Sequence, residues 1–180
     1  MAKRTRRLDF KIDKLTSSIE NTLTGEVFET EIIRLHPSDR SLIKKKDWQF
    51  DWKAELTKSN GEVYALVTRE NIEIFQGLVS LSDGGDHIFM DLIESRRINV
   101  GGLKLYAGIA GNLVAFACKV SFEKGYEGNV AFEAKTQLME HYEKTLGAKR
   151  FTHSRMLIYR QEAYNLVKQY FKDFDNADKF

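Results

Sequence analysis

Cysteine is nearly absent. A single thiol, Cys118, in 180 residues excludes an internal disulfide and a cysteine-rich zinc site, and a reducing cytoplasm is the simplest compartment for such a chain. Proline is as scarce: Pro37 stands alone, so no Pro-rich linker separates domains. No apolar run approaches the ~20 residues that cross a bilayer, and "MAKRTRRLDFKIDK" lacks the apolar centre of a signal peptide. No membrane partner is therefore expected. The four histidines show no spacing such as H-E-x-x-H, so no metal is expected either. Excess charge is also small, at +2, too little by itself to mark a nucleic-acid binder. Its distribution is uneven, because Lys3, Arg4, Arg6 and Arg7 crowd the first residues.

What is present is an ordinary globular balance, 42% hydrophobic and 30% charged, on a chain long enough for one domain with a full core. Residues 1–24 read as a basic arm, with a short helix suggested by the helical spacing of Ile12, Leu15, Ile19 and Leu23. Residues 25–180 read as a single domain. "EVFETEIIRL" (26–35) is a first strand, and Pro37 with Ser38 opens a helix. Trp48, Phe50 and Trp52 alternate after it, which fits an extended segment or a second helical turn. "VYALVT" (63–68), "IEIFQGLVSLS" (72–82) and "HIFMDLIES" (87–95) are separated by short turn-forming breaks and predict an antiparallel meander. Gly77 marks a bulge or a close approach within the second of them. The third is apolar on both faces, the mark of a covered central strand.

A helix over 111–124 follows, apolar on most sides, then a strand over 129–135. "TQLMEHYEKTLG" predicts a helix capped by Gly147, and "RMLIYRQ" a last strand. Ala163, Leu166, Val167, Tyr170, Phe171 and Phe174 give the closing helix one apolar face. The order is β–α–β–β–β–α–β–α–β–α, a mixed α/β domain.

Chemistry concentrates in "YAGIAGNLVAFACKVSFEKG", where Gly108, Ala110 and Gly111 precede the buried helix. Unpaired N–H groups at a helix start attract phosphate, and small residues let it approach them. Taken alone, the same residues fit a tight strand-to-helix packing turn. Cys118, within that helix, reads as a small buried hydrophobe.

Three pieces in order, "GIAGNL" (108–113), "GYEGNVAFEA" (125–134) and "HYEKTLGA" (141–148), resemble the GNAT family of N-acetyltransferases. In element order the resemblance spans roughly the last two-thirds of the chain. In that family a central strand leads to a pyrophosphate loop of pattern (Arg/Gln)-x-x-Gly-x-(Gly/Ala), a helix, a strand, and an aromatic-Tyr-Glu-Lys-x-Gly-Phe helix end. The resemblance implies an α/β fold with a mixed, largely antiparallel central sheet, splayed between strands 87–95 and 129–135, with helices on both faces. Acetyl-CoA is then the cosubstrate and enters the split. Its pantetheine pairs with the backbone of Leu92, Ile93 and Glu94. Its pyrophosphate sits on the N–H groups of Gly108, Ile109, Ala110, Gly111, Asn112 and Leu113.

The implied reaction is direct transfer of the acetyl group to a primary amine of a small-molecule or macromolecular acceptor. Tyr142 aligns with the tyrosine near the cofactor sulfur, and a phenol with a pKa near ~10 suits proton donation to a departing thiolate. Leu105 stands where the loop has Arg or Gln, so the backbone must hold most of the phosphate, with Lys104 as the nearest cation. Ala148 replaces the Phe, and Lys135 and Thr136 stand where the family often has Asn. For a general base, Glu94 ranks first because it lies nearest the C-terminal end of its strand. Asp91, a charge inside an apolar run whose desolvation would raise its pKa, ranks second, with Glu133 behind them. Asp91 equally fits a carboxylate satisfied by a neighbouring strand. The alternative from another class is a nucleic-acid-associated or regulatory binding protein on the same fold without catalysis, using the basic arm. A homodimer is left open.

Overall fold

The computed structural model describes residues 5–14, 18–58 and 61–174. In chain order its first elements are β1 (Ser18–Asn21), β2 (Val27–Arg34), α1 (Trp52–Leu56), β3 (Glu62–Thr68), β4 (Gly77–Asp83) and β5 (Ile88–Ser95). They continue as β6 (Tyr106–Ala107), α2 (Ile109–Glu123), β7 (Val130–Glu133), α3 (Met139–Leu146), β8 (Lys149–Arg150), β9 (Arg155–Ile158) and α4 (Arg160–Tyr170). Among the described residues the strands form one sheet, ordered β6-β1-β2-β3-β4-β5-β7-β9-β8. Every neighbouring pair is antiparallel except β5 with β7. The expected meander is β3, β4 and β5.

Helices cover both faces of this sheet. Ile109 and Leu113 of α2 press onto Gly77, which lies opposite Ser95. Glu94, whose side chain points the other way by the strand's two-residue period, reaches Trp52 of α1. The long apolar run in α2 is thereby explained: it packs against β4 and β5 on one side and α4 on the other. Cys118 lies buried in this layer, as expected of a small hydrophobe, and burial pushes its thiol pKa well up.

Three local expectations change. The strand expected over 72–82 begins only at Gly77, because a bridge between Thr68 and Asn71 closes a turn and leaves Ile72 and Ile74 exposed. Pro37 opens a 3-10 turn, Pro37–Leu42, rather than an α-helix. Among the described residues, the helix expected in the arm is not found. Ile12 lies in neither helix nor strand, Ile19 belongs to β1, and Leu23 sits in an exposed turn, while Leu15 lies outside the described residues. Residues 5–14 are not helical because their backbone groups find partners on other elements, which a helix would have withdrawn. Among the described residues, no helix is long and apolar enough to cross a membrane.

Gly77 shows how tightly α2 is seated. A Cβ there would stand 2.4 Å from the Ile109 side chain and 3.0 Å from that of Leu113. Gly77→Ala is expected to destabilise the fold by about 1–3 kcal/mol through overpacking, read as a lower urea midpoint with an unchanged slope.

Candidate active site

The sheet opens where β5 and β7 part. Their parallel pairing covers only Ile88 with Val130 and Phe89 with Ala131. From there β5 runs on to Ser95 with only its β4 edge in the ladder. The β4–β5 register slips between Ser80 and Leu81, which makes Asp91 the extra residue on β5. Such a bulge bends a strand and re-aims the side chains beyond it. Asp91 is partly buried beside Gly61 and Ser80. Leu92, Ile93 and Glu94 follow it along the split, all three buried.

Glu94 is held on every side. Its Oε2 accepts the Trp52 indole N–H at 2.6 Å and the Phe50 N–H at 3.2 Å. Its Oε1 accepts the Gln49 N–H. A buried carboxylate with three donors is a structural tie, and this one fastens residues 49–52 across the mouth of the split. Trp48 and Trp52 meet edge to face behind it, at 6.4 Å between ring centres. The sequence offered no signal for this contact, because the partners lie 42 to 45 positions apart.

The small-residue turn lies at the end of the split. Gly108 is the N-cap of α2, with φ at +99°, and a Cβ there would stand 2.9 Å from the Ser18 carbonyl oxygen. Glycine is required twice over, for the backbone angle and for the approach of β1. Ile109, Ala110, Gly111, Asn112 and Leu113 form the buried first turns of α2. Leu105, in the position expected to carry Arg or Gln, uses its backbone to accept the Thr22 N–H.

Residues 5–14 cross this whole region. Arg6 reaches the buried Glu55 at 2.6 Å. Burial opposes ionisation of Glu55, but Lys58 and Arg6 outweigh it and hold its carboxyl below the usual range. Leu8 then pairs with the end of β7: its N–H donates to the Glu133 carbonyl at 2.7 Å and its carbonyl accepts the Lys135 N–H at 2.9 Å. Phe10 stacks on Tyr142 at 4.5 Å, and the Tyr142 hydroxyl donates to the Phe10 carbonyl at 2.6 Å. The Ile12 N–H donates to His141 Nε2 at 2.9 Å. Asp13 Oδ1 accepts the Gly108 N–H at 3.0 Å, and Lys104 holds its Oδ2 at 2.9 Å. The Lys14 carbonyl accepts the Tyr170 hydroxyl at 2.8 Å.

Tyr142 is therefore fully buried, with Phe132 edge to face on its other side. Burial raises its phenol pKa, so the hydroxyl keeps its proton and acts as a donor. Of the residues singled out in the sequence, Tyr142 and Gly108 are thus drawn to one element, the arm. The signal for that element was present and missed: Leu8, Phe10 and Ile12 alternate with Asp9, Lys11 and Asp13, a strand's period rather than a helix's. Two clefts, about 870 and 840 Å³, remain along the arm. Gln49, Phe50 and Ile93 line both.

No protein-family model matches the chain, and no curated protein matches it. Solved structures do. AtaTR bound with acetyl-CoA aligns at a TM-score of 0.55 and 16% identity, over 76% of this chain and 97% of that one. A mutant AtaT toxin, bound to the C-terminus of the antitoxin AtaR and to acetyl-CoA, aligns at 0.52 and 17%, over 78% and 99%. A KacTA–DNA complex aligns at 0.53 and 14%, over 78% and 99%. The chain has the GNAT acyl-CoA N-acyltransferase fold. Within the GNAT fold the parting of β5 and β7 is the expected splay, and residues 108–113 open the helix beside it.

Two outcomes test this local structure. Glu94→Ala strands the buried Trp52 indole N–H and frees two part-buried backbone N–H groups, and is expected to cost about 2–3 kcal/mol, read by chemical denaturation. His141 must be neutral at Nε2 to accept from Ile12, and burial, with the nearby Lys11 charge, holds its pKa below 6.5. The unfolded chain thus binds the proton more readily, so stability is full above pH 6.5 and falls as pH drops below it. His141→Gln, which keeps an acceptor without the charge, is expected to flatten that loss in thermal melts between roughly pH 5 and 7.

Proposed function

We propose that the protein is an acetyl-CoA-dependent N-acetyltransferase that passes the acetyl group directly to a primary amine. One observation carries the reading: the sheet parts beside a glycine-capped helix start, with a buried tyrosine at the lip. Acetyl-CoA binding by AtaTR and by the mutant AtaT, which share the fold, supports the same cofactor here. In this reading the free edge of β5 at Leu92, Ile93 and Glu94 pairs with pantetheine. The N–H groups of 108–113 take the pyrophosphate, helped by the helix dipole because Leu105 has no polar side chain to offer. Tyr142 donates a proton to the departing thiolate. Glu94 is a poor base, because both its oxygens already accept hydrogen bonds, and Asp91 stands as the other candidate on β5. The deprotonated amine attacks the thioester carbonyl, the C–S bond breaks, and CoA leaves as the thiol. The cytoplasm is the proposed compartment, since it holds the cofactor.

A second reading, a binding protein without catalysis, draws on the burial of Tyr142 under the arm. A KacTA–DNA complex on this fold keeps a nucleic-acid partner in view, as does the basic sequence at the start of the arm. Arg6 is engaged by Glu55, Arg7 is exposed, and Lys3 and Arg4 lie outside the described residues. A thermal-shift titration separates the readings: acetyl-CoA is expected to raise the melting temperature, and no shift, with salt-sensitive retention on DNA, favours the second. With a thiol-release assay over a panel of primary amines, Tyr142→Phe is expected to lower kcat by about 10²-fold without weakening acetyl-CoA affinity. Wild-type turnover in that variant removes Tyr142 from the donor role.

A further inference from the structure

Two of the groups that would receive acetyl-CoA are bonded to the chain itself. The Gly108 N–H is given to Asp13 and the Tyr142 hydroxyl to the Phe10 carbonyl. Gly111 is roofed as well: a Cβ there would meet the Lys14 carbonyl at 2.9 Å and the Tyr170 hydroxyl at 2.1 Å. A carboxylate on a helix-start N–H offers the charge that a phosphate offers, and a backbone carbonyl beside Tyr142 offers an acceptor.

We propose that residues 8–14 are a ligand carried in cis: they hold the Gly108 N–H and the Tyr142 hydroxyl in place of acetyl-CoA, and their departure admits it. The inference rests on the acetyl-CoA reading above. A single N–H and a single hydroxyl cannot serve both occupants at full strength, so the two compete. The arm's contacts are of a kind that can exchange. Leu8 and Ile12 are buried, but Asp9 and Lys11 between them and Asp13 after them are exposed, and two of its ties, to the Gly108 N–H and the Tyr142 hydroxyl, are to groups that the cofactor would use. A tethered occupant competes at high effective concentration. Apparent cofactor affinity is the intrinsic affinity reduced by the fraction of molecules whose groove is open. The arm therefore sets the acetyl-CoA concentration at which the protein responds.

Hydrogen–deuterium exchange on the full chain tests this, with acetyl-CoA as the probe. On saturation, the Leu8, Ile12 and Lys135 amides are expected to exchange at least tenfold faster, while 108–113 stay protected. Binding is measured alongside by calorimetry on wild type and on Phe10→Ala with Asp13→Ala, expected to bind at least tenfold tighter. Asp13→Ala alone, at an exposed position, serves where the double variant fails to fold. Binding by the variants but not by wild type also supports the arm as occupant. Acetyl-CoA binding with Leu8 and Ile12 still protected, or with equal affinity in every variant, overturns the occupant and leaves the acetyltransferase reading standing. No binding by any of these proteins overturns both.

Discussion

The early end of the β5–β7 ladder is the constraint on which the structure turns. Two strands that pair for only two residues leave backbone donors and acceptors facing each other across an opening inside the protein. Such groups must be satisfied, by water, by ligand or by chain. On the β7 side the chain does it, through Leu8 bonded to Glu133 and Lys135. On the β5 side, Glu94 pins residues 49–52 over the opening, and Gln49 and Phe50 become walls of the clefts. The bulge at Asp91 belongs to the same geometry, since a strand that must leave its neighbour is one that bends.

On the reading of the arm as occupant, the exchange at Gly108 and Tyr142 is polar for polar, and the burial of Leu8 and Ile12 with the stacking of Phe10 is what the cofactor's own contacts must offset. A buried hydrogen bond replaced by an equivalent one changes stability little, whereas a bond lost without replacement costs a full desolvation penalty. In that reading Gly108 and Tyr142 keep a partner either way, which removes one cost that would otherwise separate the two states. His141 is the exception on this surface. It accepts from Ile12 only when neutral, so its contact with the arm is lost on protonation while the others persist.

Much of the architecture was legible where side-chain patterns are long. The α2 run, the apolar β5 and Gly147 at the end of α3 all sit within a residue or two of where periodicity and capping place them. What escaped were short strands whose pairing is decided elsewhere: β1, β6 and β8 have two to four residues each, too few to show a period. The arm escaped for a different reason. Ile12 and Ile19 lie seven apart, a spacing common to a helix and to unrelated points on an extended chain, and it outweighed the clearer alternation of Leu8, Phe10 and Ile12. At the candidate site, the glycine turn before α2 could be read from local residues, whereas Tyr142 was singled out by the resemblance. The role of Glu94 could not, because nothing in "DLIES" reveals that Trp52 will arrive from the other face of the sheet.

Lys104 links these strands of argument. The chain has Leu105 where a polar side chain would help hold pyrophosphate, yet the neighbouring lysine already holds an anion at the mouth of α2, the Asp13 carboxylate at 2.9 Å. A lysine is a flexible point charge with three donors and needs no fixed geometry to change partner. On the reading of the arm as occupant, Asp13 leaves with it and Lys104 keeps its position beside Gly108 with its charge unpaired. A phosphate entering the groove would then meet the cation that the carboxylate had occupied. The loop's missing Arg or Gln and the arm's Asp13 are in this way two sides of one arrangement: the side chain that would aid the cofactor is the one that holds its competitor.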